Sequence, residues 1–423
     1  MTTLPKLSNL RRTELNNGIV LLVTENSAAD VIATRIFIRA GSCYENPEKA
    51  GLANLLGAVL TKGCDGLSSL AIAEQVESVG ASLSADTATD YFVLSLKTVT
   101  ADFTPILELA ARILRFPIFP EAEVEMEKRI ALQDVRLQKE QPFSVAFEQL
   151  RQVMYKNHPY ASSGMGDETT ISNLTREDLV KYYQTYFRPD NIVISIAGRI
   201  SEDDAELQIN KLFGDWQNPV EERPVMDVSF PQTKPQRVIT PQSTQQSVIM
   251  LGYLGASVHS SDYAALKLLS TYLGNGLSSR LFIELREKLG LAYDVSAFYP
   301  TRQFSSSFVV YMGTAPENTV IALEGLRREV DLLSNNKLEE NALQASKNKI
   351  LGQYALGKQT NGQIAQIYGW YEIIGLGIAF DQKFQEDIAA LTTVDAITAA
   401  SQYLKEPFVS VIGQEEAISR VIS

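Results

Sequence analysis

Residues 50–60 read Ala50-Gly51-Leu52-Ala53-Asn54-Leu55-Leu56-Gly57-Ala58-Val59-Leu60. Leu52, Leu55, Leu56, Val59 and Leu60 recur at i, i+3, i+4, i+7 and i+8, so the segment predicts a helix laying one apolar stripe on a sheet. The strands for that sheet precede it. Gly18 to Thr24 and Val31 to Ala40 are rich in β-branched and aromatic residues and flank a turn around Asn26-Ser27. Downstream, a second helix of about Ser68 to Val79 stops at Gly80, a residue type suited to a helix C-terminus. Strand-like residues resume at Ser82-Leu83-Ser84 and Tyr91-Phe92-Val93-Leu94. Helical periodicity then occupies roughly 102–115, 121–140 and 143–155, a further helix starts at Thr175-Arg176-Glu177-Asp178, and a strand runs from Asn191 to Ala197.

A polar stretch at 217–236, with Pro219, Pro224, Pro231 and Pro235, interrupts this pattern and reads as a linker. Beyond it the order repeats: a strand from Val248 to Leu254, a helix from about Asp262, a second helix ending before Gly290, then strands at Ala292 to Tyr299 and Phe308 to Met312. Gly41 corresponds to Gly255, Gly80 to Gly290 and Phe92 to Phe308, at offsets of 214, 210 and 216. Offsets this constant over a same-order pattern indicate an internal duplication. The expected architecture is therefore α+β: an N-terminal domain 1–216, the linker 217–236 and a homologous C-terminal domain 237–423, each a mostly antiparallel sheet with helices packed on one side.

Composition narrows the function. The 423 residues are 45% hydrophobic, which excludes disorder, and the formal net charge of −12 argues against a nucleic-acid duplex or an anionic membrane as main partner. Apolar runs such as Ile192-Val193-Ile194 fall far short of the roughly 20 residues of a membrane span. Met1-Thr2-Thr3-Leu4-Pro5-Lys6-Leu7-Ser8 has no apolar signal region, so a cytoplasmic location is expected, with Cys43 and Cys64 as free thiols. Only two histidines, His158 and His259, exist, about a hundred residues apart, which leaves almost no material for a catalytic His or a His-rich metal site. His158, beside Pro159 and Tyr160, reads as a loop-packing residue, and His259 likewise. Gly375-Leu376-Gly377 is too short for a dinucleotide fingerprint.

In this order and spacing, a set of segments resembles the M16 (pitrilysin-like) zinc peptidases of the two-domain processing-peptidase type. The first half carries Arg39-Ala40-Gly41-Ser42 with Glu45, Gly51-Leu52-Ala53, His158-Pro159-Tyr160, Gly166, Leu174-Thr175-Arg176-Glu177-Asp178-Leu179 and Tyr186-Phe187-Arg188-Pro189-Asp190-Asn191. The second carries Gly276-Leu277-Ser278-Ser279-Arg280-Leu281-Phe282, Leu285-Arg286-Glu287-Lys288 and Gly290-Leu291-Ala292-Tyr293. The resemblance spans nearly the whole chain and implies the metallohydrolase fold shared by LuxS and the processing peptidases.

Active members carry His-x-x-Glu-His on the helix after the Gly-x-Ala segment, two His binding zinc and the Glu activating water. Here those positions hold Asn54, Gly57 and Ala58, and the family's third ligand, a Glu, aligns with Asp134. The resemblance thus implies a degenerate metal site, no metal in this chain and no peptidase activity of its own. It further implies that Arg286 and Tyr293 hold substrate and stabilise an oxyanion in trans, and that Gly274-Asn275-Gly276 is either a plain loop or the mobile glycine-rich segment of noncatalytic subunits. The partners expected are a catalytic M16 subunit with intact His-x-x-Glu-His, which brings the zinc, and a peptide or unfolded polypeptide. The other expectation is an inert structural or peptide-binding protein of peptidase descent, comparable to the core subunits of the respiratory bc1 complex.

Overall fold

A computed structural model describes residues 10–226, 228–232 and 234–422; the N-terminal stretch read above, Met1 to Ser8, lies outside the described residues, as do Asp227 and Thr233 of the 217–236 segment. The chain folds into two compact units. Unit 1 takes the described residues through 135, those from 162 to 226, and 354–381. Unit 2 takes 136–161, the described residues from 228 to 353, and those from 382 onward.

Unit 1 contains strands β1 (Leu10–Glu14), β2 (Val20–Glu25) and β3 (Val31–Ile38), helix α1 (Leu52–Leu60), a small ribbon of β4 (Gly63–Cys64) and β5 (Leu67–Ser68), helix α2 (Ser69–Glu77), strands β6 (Ser82–Thr87) and β7 (Phe92–Val99), and helix α3 (Phe103–Arg115). Helix α4 (Glu121–Glu140) follows. After α5 (Pro142–Met154), which belongs to unit 2, come α6 (Glu168–Asn173), α7 (Arg176–Tyr186), β8 (Ile192–Gly198) and α8 (Glu202–Phe213). The sheet runs β1-β2-β8-β3-β7-β6 and is antiparallel except for β2 beside β8. Alternation sorts β3 into two faces. Ile32, Ile36 and Ile38 enter one core with Leu52, Leu55, Leu56, Val59 and Leu60 of α1, Leu107 and Leu114 of α3, and Leu179 of α7. Thr175 caps α7 through a reciprocal hydrogen-bonded box with Asp178, the start signal legible in the sequence.

Unit 2 contains β9 (Arg237–Pro241), β10 (Ser247–Gly255), α9 (Tyr263–Gly274), β11 (Asp294–Phe298), β12 (Ser306–Thr314), α10 (Thr319–Asn335), α11 (Glu340–Leu356), then α13 (Phe380–Ala390), α14 (Thr393–Tyr403), β13 (Phe408–Gly413) and α15 (Glu415–Ile422), α12 (Asn361–Ile373) belonging to unit 1. Its sheet runs β11-β12-β10-β13-β9, with β13 parallel to β9 and the other pairs antiparallel. Placed beside unit 1, this is the order β6-β7-β3-β8-β2 with the same single parallel pair, so the duplication extends to strand pairing. Gly80 and Gly290, equivalent in the repeat, both have φ +63°.

Two helical segments depart from the contiguous division into 1–216 and 237–423. Helix α5 packs on β10 and β13, and α12 packs on the equivalent strands β3 and β8. Glycines permit both close approaches, one from the sheet and one from the helix: a Cβ on Gly252 of β10 would stand 2.5 Å from Met154 Sδ of α5, and one on Gly369 of α12 2.3 Å from Phe37 Cε2 of β3. Each sheet therefore has its second face covered by a helix from the other half of the sequence. Among the described residues no helix is long and apolar enough to cross a membrane.

Candidate functional site

Helix α1 is held at its N-terminus by a carboxylate. Gly51 adopts φ +94° there and caps with no side chain; instead Glu45 Oε2 accepts from Gly51 N at 3.0 Å and Oε1 from Ala53 N at 2.6 Å. These bonds satisfy amides that a helix start leaves unpaired. Burial pushes the Glu45 carboxyl up to about 8 against the pull of the two amides. Gly51 and Gly166 are required by close approach: a Cβ on Gly51 would stand 2.4 Å from Ile171 Cδ1, and one on Gly166 2.3 Å from Ala50 O. The sequence shows Glu45 six residues before Gly51, but its capping role is visible only once the chain folds back.

Along α1, Asn54 is exposed, Gly57 is buried and Ala58 is half-buried. Gly57 lies against β6, where a Cβ would stand 3.0 Å from Thr87 Oγ1, and that hydroxyl donates to Ala53 O at 2.9 Å. Asp134 is exposed on α4. Helix α4 is tied to the end of α1 by Lys62 Nζ and Glu127 Oε1 at 2.9 Å, and Asp134 shares the face of Glu127, seven residues on. A hydrogen at Gly57, a methyl at Ala58, one exposed amide and one exposed carboxylate do not fit a catalytic zinc, which takes three imidazole, thiolate or carboxylate ligands and leaves its fourth position to water. Among the described residues no group of three or more His, Cys, Asp or Glu is gathered to hold a metal ion.

His158 is buried in an aromatic cage, with Tyr155, Tyr160 and Phe304 at ring-centroid distances of 5.2, 4.8 and 6.1 Å. Its Nδ1 accepts from Tyr160 N at 3.0 Å, and burial lowers the imidazole to about 4. It is a neutral packing residue; His259 is exposed. Gly375 and Gly377, at φ +80° and +69°, form a turn after α12.

Arg286 and Tyr293 both belong to unit 2 and flank one turn. The helix expected before Gly290 is a π-helical turn, Phe282–Glu287, with Lys288 N donating to Ile283 O at 3.0 Å. Wide turns of this kind recur at functional sites. Gly290 N donates to Arg286 O at 3.1 Å and Leu291 N to Leu285 O at 2.9 Å, which sends the chain back toward β11. Arg286 is exposed, its guanidinium 5.0 Å from the Phe282 ring centroid. Its acidic neighbour Glu284 pairs instead with Arg280 and Lys288. Tyr293 is 62% exposed, and its backbone N–H donates to Gly313 O at 2.9 Å. Among the described residues neither side chain makes a hydrogen bond, and both are exposed, so both donors are open to a ligand.

The glycine segment splits into two roles. Gly274 is the last residue of α9, where a Cβ would stand 1.8 Å from Ala297 N. Gly276 has φ +83°, and its loop is pinned to α11 by Lys349 Nζ donating to Asn275 O and by Asn275 Nδ2 donating to Gln353 Oε1 at 3.0 Å.

Comparison with known proteins agrees along most of this length. The family model described as insulinase (peptidase family M16) matches residues 21–168, which hold Asn54, Gly57, Ala58 and Asp134. The model described as the peptidase M16 inactive domain matches residues 173–350, which hold Arg286 and Tyr293. The chain is similar to the uncharacterized zinc protease YmxG of Bacillus subtilis, 25% identical over 84% of this chain and 87% of that one. It is similar also to an uncharacterized zinc protease of Streptomyces coelicolor, 25% identical over 96% and 90%. Among solved structures, a peptidase M16 inactive domain from Pseudomonas fluorescens superposes with a TM-score of 0.89 at 25% identity, covering 96% of this chain and 98% of that one. A protease from Helicobacter pylori shares the fold, with a TM-score of 0.89 at 21% identity over 95% and 98%. With the two family models covering consecutive stretches of a duplicated α+β chain, this protein belongs to the M16 peptidase family.

Proposed function

We propose that the chain is the noncatalytic subunit of a heterodimeric M16 zinc peptidase, and that Arg286 and Tyr293 act on substrate in an active site whose metal and general base come from a partner with intact His-x-x-Glu-His. The observation that carries this reading is the contrast between two places in one chain. The helix face that would bear the metal ligands holds Asn54, Gly57 and Ala58, while the donors Arg286 and Tyr293 are exposed and, among the described residues, have no side-chain hydrogen bond. A guanidinium and a phenol are both donors that can be aimed at a carbonyl oxygen as negative charge develops on it. The substrate is an extended peptide, bound by main-chain hydrogen bonds to a sheet edge.

Purification of the chain from its native cell tests this. The expected result is a co-purifying chain bearing His-x-x-Glu-His, with zinc following that partner and none bound stoichiometrically to this chain alone. One tightly held zinc per isolated chain, with chelator-sensitive hydrolysis, overturns the reading. A chain that purifies without a peptidase partner and still binds peptides favours the scaffold alternative.

A further inference from the structure

Helix α12 carries Gly362 and Gly369 seven residues apart, on one face. Both meet β3, Gly369 at Phe37 and Gly362 at Arg35, where a Cβ would stand 3.2 Å from Arg35 Nη2. Arg35 and Phe37 share a face of the strand. Helix and strand close tightly around Phe37 and leave a cavity of about 870 Å³ beside Arg35. That volume lies within the range of small-molecule sites. Tyr91, Ile367 and Trp370 form apolar wall; the charged groups of the lining are Arg35 and Lys97, and the rest of its polar surface is neutral amide and hydroxyl, Gln366 among them. The rim is fixed: Asn361 Nδ2 donates to Val31 O at 2.8 Å, and Asn361 Oδ1 accepts from Asn26 Nδ2 at 2.7 Å.

The cations are underused. Arg35 Nη1 donates to Thr34 O at 3.0 Å and Leu96 O at 3.4 Å, which leaves Nε and Nη2 open. Lys97 is exposed and pairs in register with Ala33, so it is the diagonal neighbour of Arg35 across β3 and β7, within reach of one shared ligand. The acid acting on Arg35 is Asp86 of β6, at longer range than an ion pair. Two cations and one acid leave a single positive charge, which matches a monoanion rather than a phosphate. The planar guanidinium fork matches a carboxylate.

We propose that this cavity binds an organic monocarboxylate with a flat apolar body, its carboxylate held by Arg35 and Lys97 and its body laid against Trp370 and Tyr91. A free aromatic acid and a peptide ending in an aromatic residue offer the same chemistry. Titration followed by tryptophan fluorescence tests it, because Trp370 is one of only two tryptophans. The probes are phenylacetate against phenylacetamide, and Gly-Gly-Phe with a free against an amidated C-terminus. At least one acid is expected to bind tenfold or more tighter than its amide, and which acid binds identifies the source. Arg35→Gln and Lys97→Gln are each expected to weaken the acid fivefold or more and leave the amide unchanged. Lys97 is exposed, so its variant decides the matter if Arg35→Gln does not fold. Equal affinity for acid and amide, no binding of any probe, or parental affinity in Lys97→Gln overturns the proposal.

Discussion

Thr87 Oγ1 lies 3.0 Å from the point at which a Cβ on Gly57 would stand, while donating to Ala53 O at 2.9 Å. Helix α1 and strand β6 are thus packed to a glycine, and a side chain at 57 must displace the threonine. Gly57→Glu alone is expected to destabilise unit 1 by about 1–3 kcal/mol, the usual range for overpacking. Combined with Thr87→Ala, which removes the opposing hydroxyl, the loss should fall short of the sum of the two single variants. Urea denaturation of the four proteins of the cycle measures this coupling; strict additivity would place residue 57 away from Thr87.

Restoring the whole ligand set asks whether that helix face is the metal face. Asn54→His, Gly57→Glu and Ala58→His with Asp134→Glu should produce zinc binding measurable by calorimetry. Peptide hydrolysis need not accompany it, since the groups that orient metal ligands are not restored. A folded quadruple variant binding zinc no better than the parent places the family's metal site elsewhere.

Glu45 gives a pH signature. Its carboxyl is raised to about 8 in the folded chain, above the ordinary 4.5, so its contribution to stability is complete below about 4.5 and is lost as pH rises toward 8. The stability of the parent relative to Glu45→Gln should therefore decline across that window, by up to about 4 kcal/mol. Denaturation midpoints of both proteins at pH 5, 6.5 and 8 read it out, and a flat difference would mean that the amides of Gly51 and Ala53 fully offset the desolvation.

The two glycines of 274–276 should respond differently. Gly274→Ala meets the backbone of Ala297 and is expected to cost about 2–4 kcal/mol as α9 and β11 are forced apart. Gly276→Ala meets only the far end of Lys349, and the strain of φ +83° should cost about 1 kcal/mol. Thermal melts of both variants separate the packing role from the loop role; equal losses would contradict the geometry.

The sequence was informative where periodicity and caps are strong. The stripe from Leu52 to Leu60, the cap at Thr175 and the repeat linking Gly80 to Gly290 all correspond to what the chain forms. Edge strand β1 is not legible in the sequence, because Leu10–Glu14 is short and charged, with no alternating apolar pattern. The crossing-over of α5 and α12 was illegible for a different reason. A helix pattern states that one face is buried, not which sheet buries it; Gly252 on the strand that receives α5 and Gly369 on α12 itself mark the close approaches only once the chain is folded. Arg35 left a faint signal, a lone cation in the otherwise uncharged strand Val31–Ile38. The positions Asn54, Gly57, Ala58, Arg286 and Tyr293 were nameable because motif spacing survives in a single sequence; their exposure and hydrogen bonding were not.

Turnover of the reconstituted heterodimer decides whether Arg286 and Tyr293 act on substrate. Arg286→Ala and Tyr293→Phe should leave melting and assembly near parental while lowering kcat about 10²–10³-fold, the typical loss for one oxyanion donor. A surface role would move stability by about 0–1 kcal/mol and leave turnover intact. Near-parental turnover in both variants, with the partner shown to be required, would leave Arg286 and Tyr293 without a part in catalysis and the chain a scaffold.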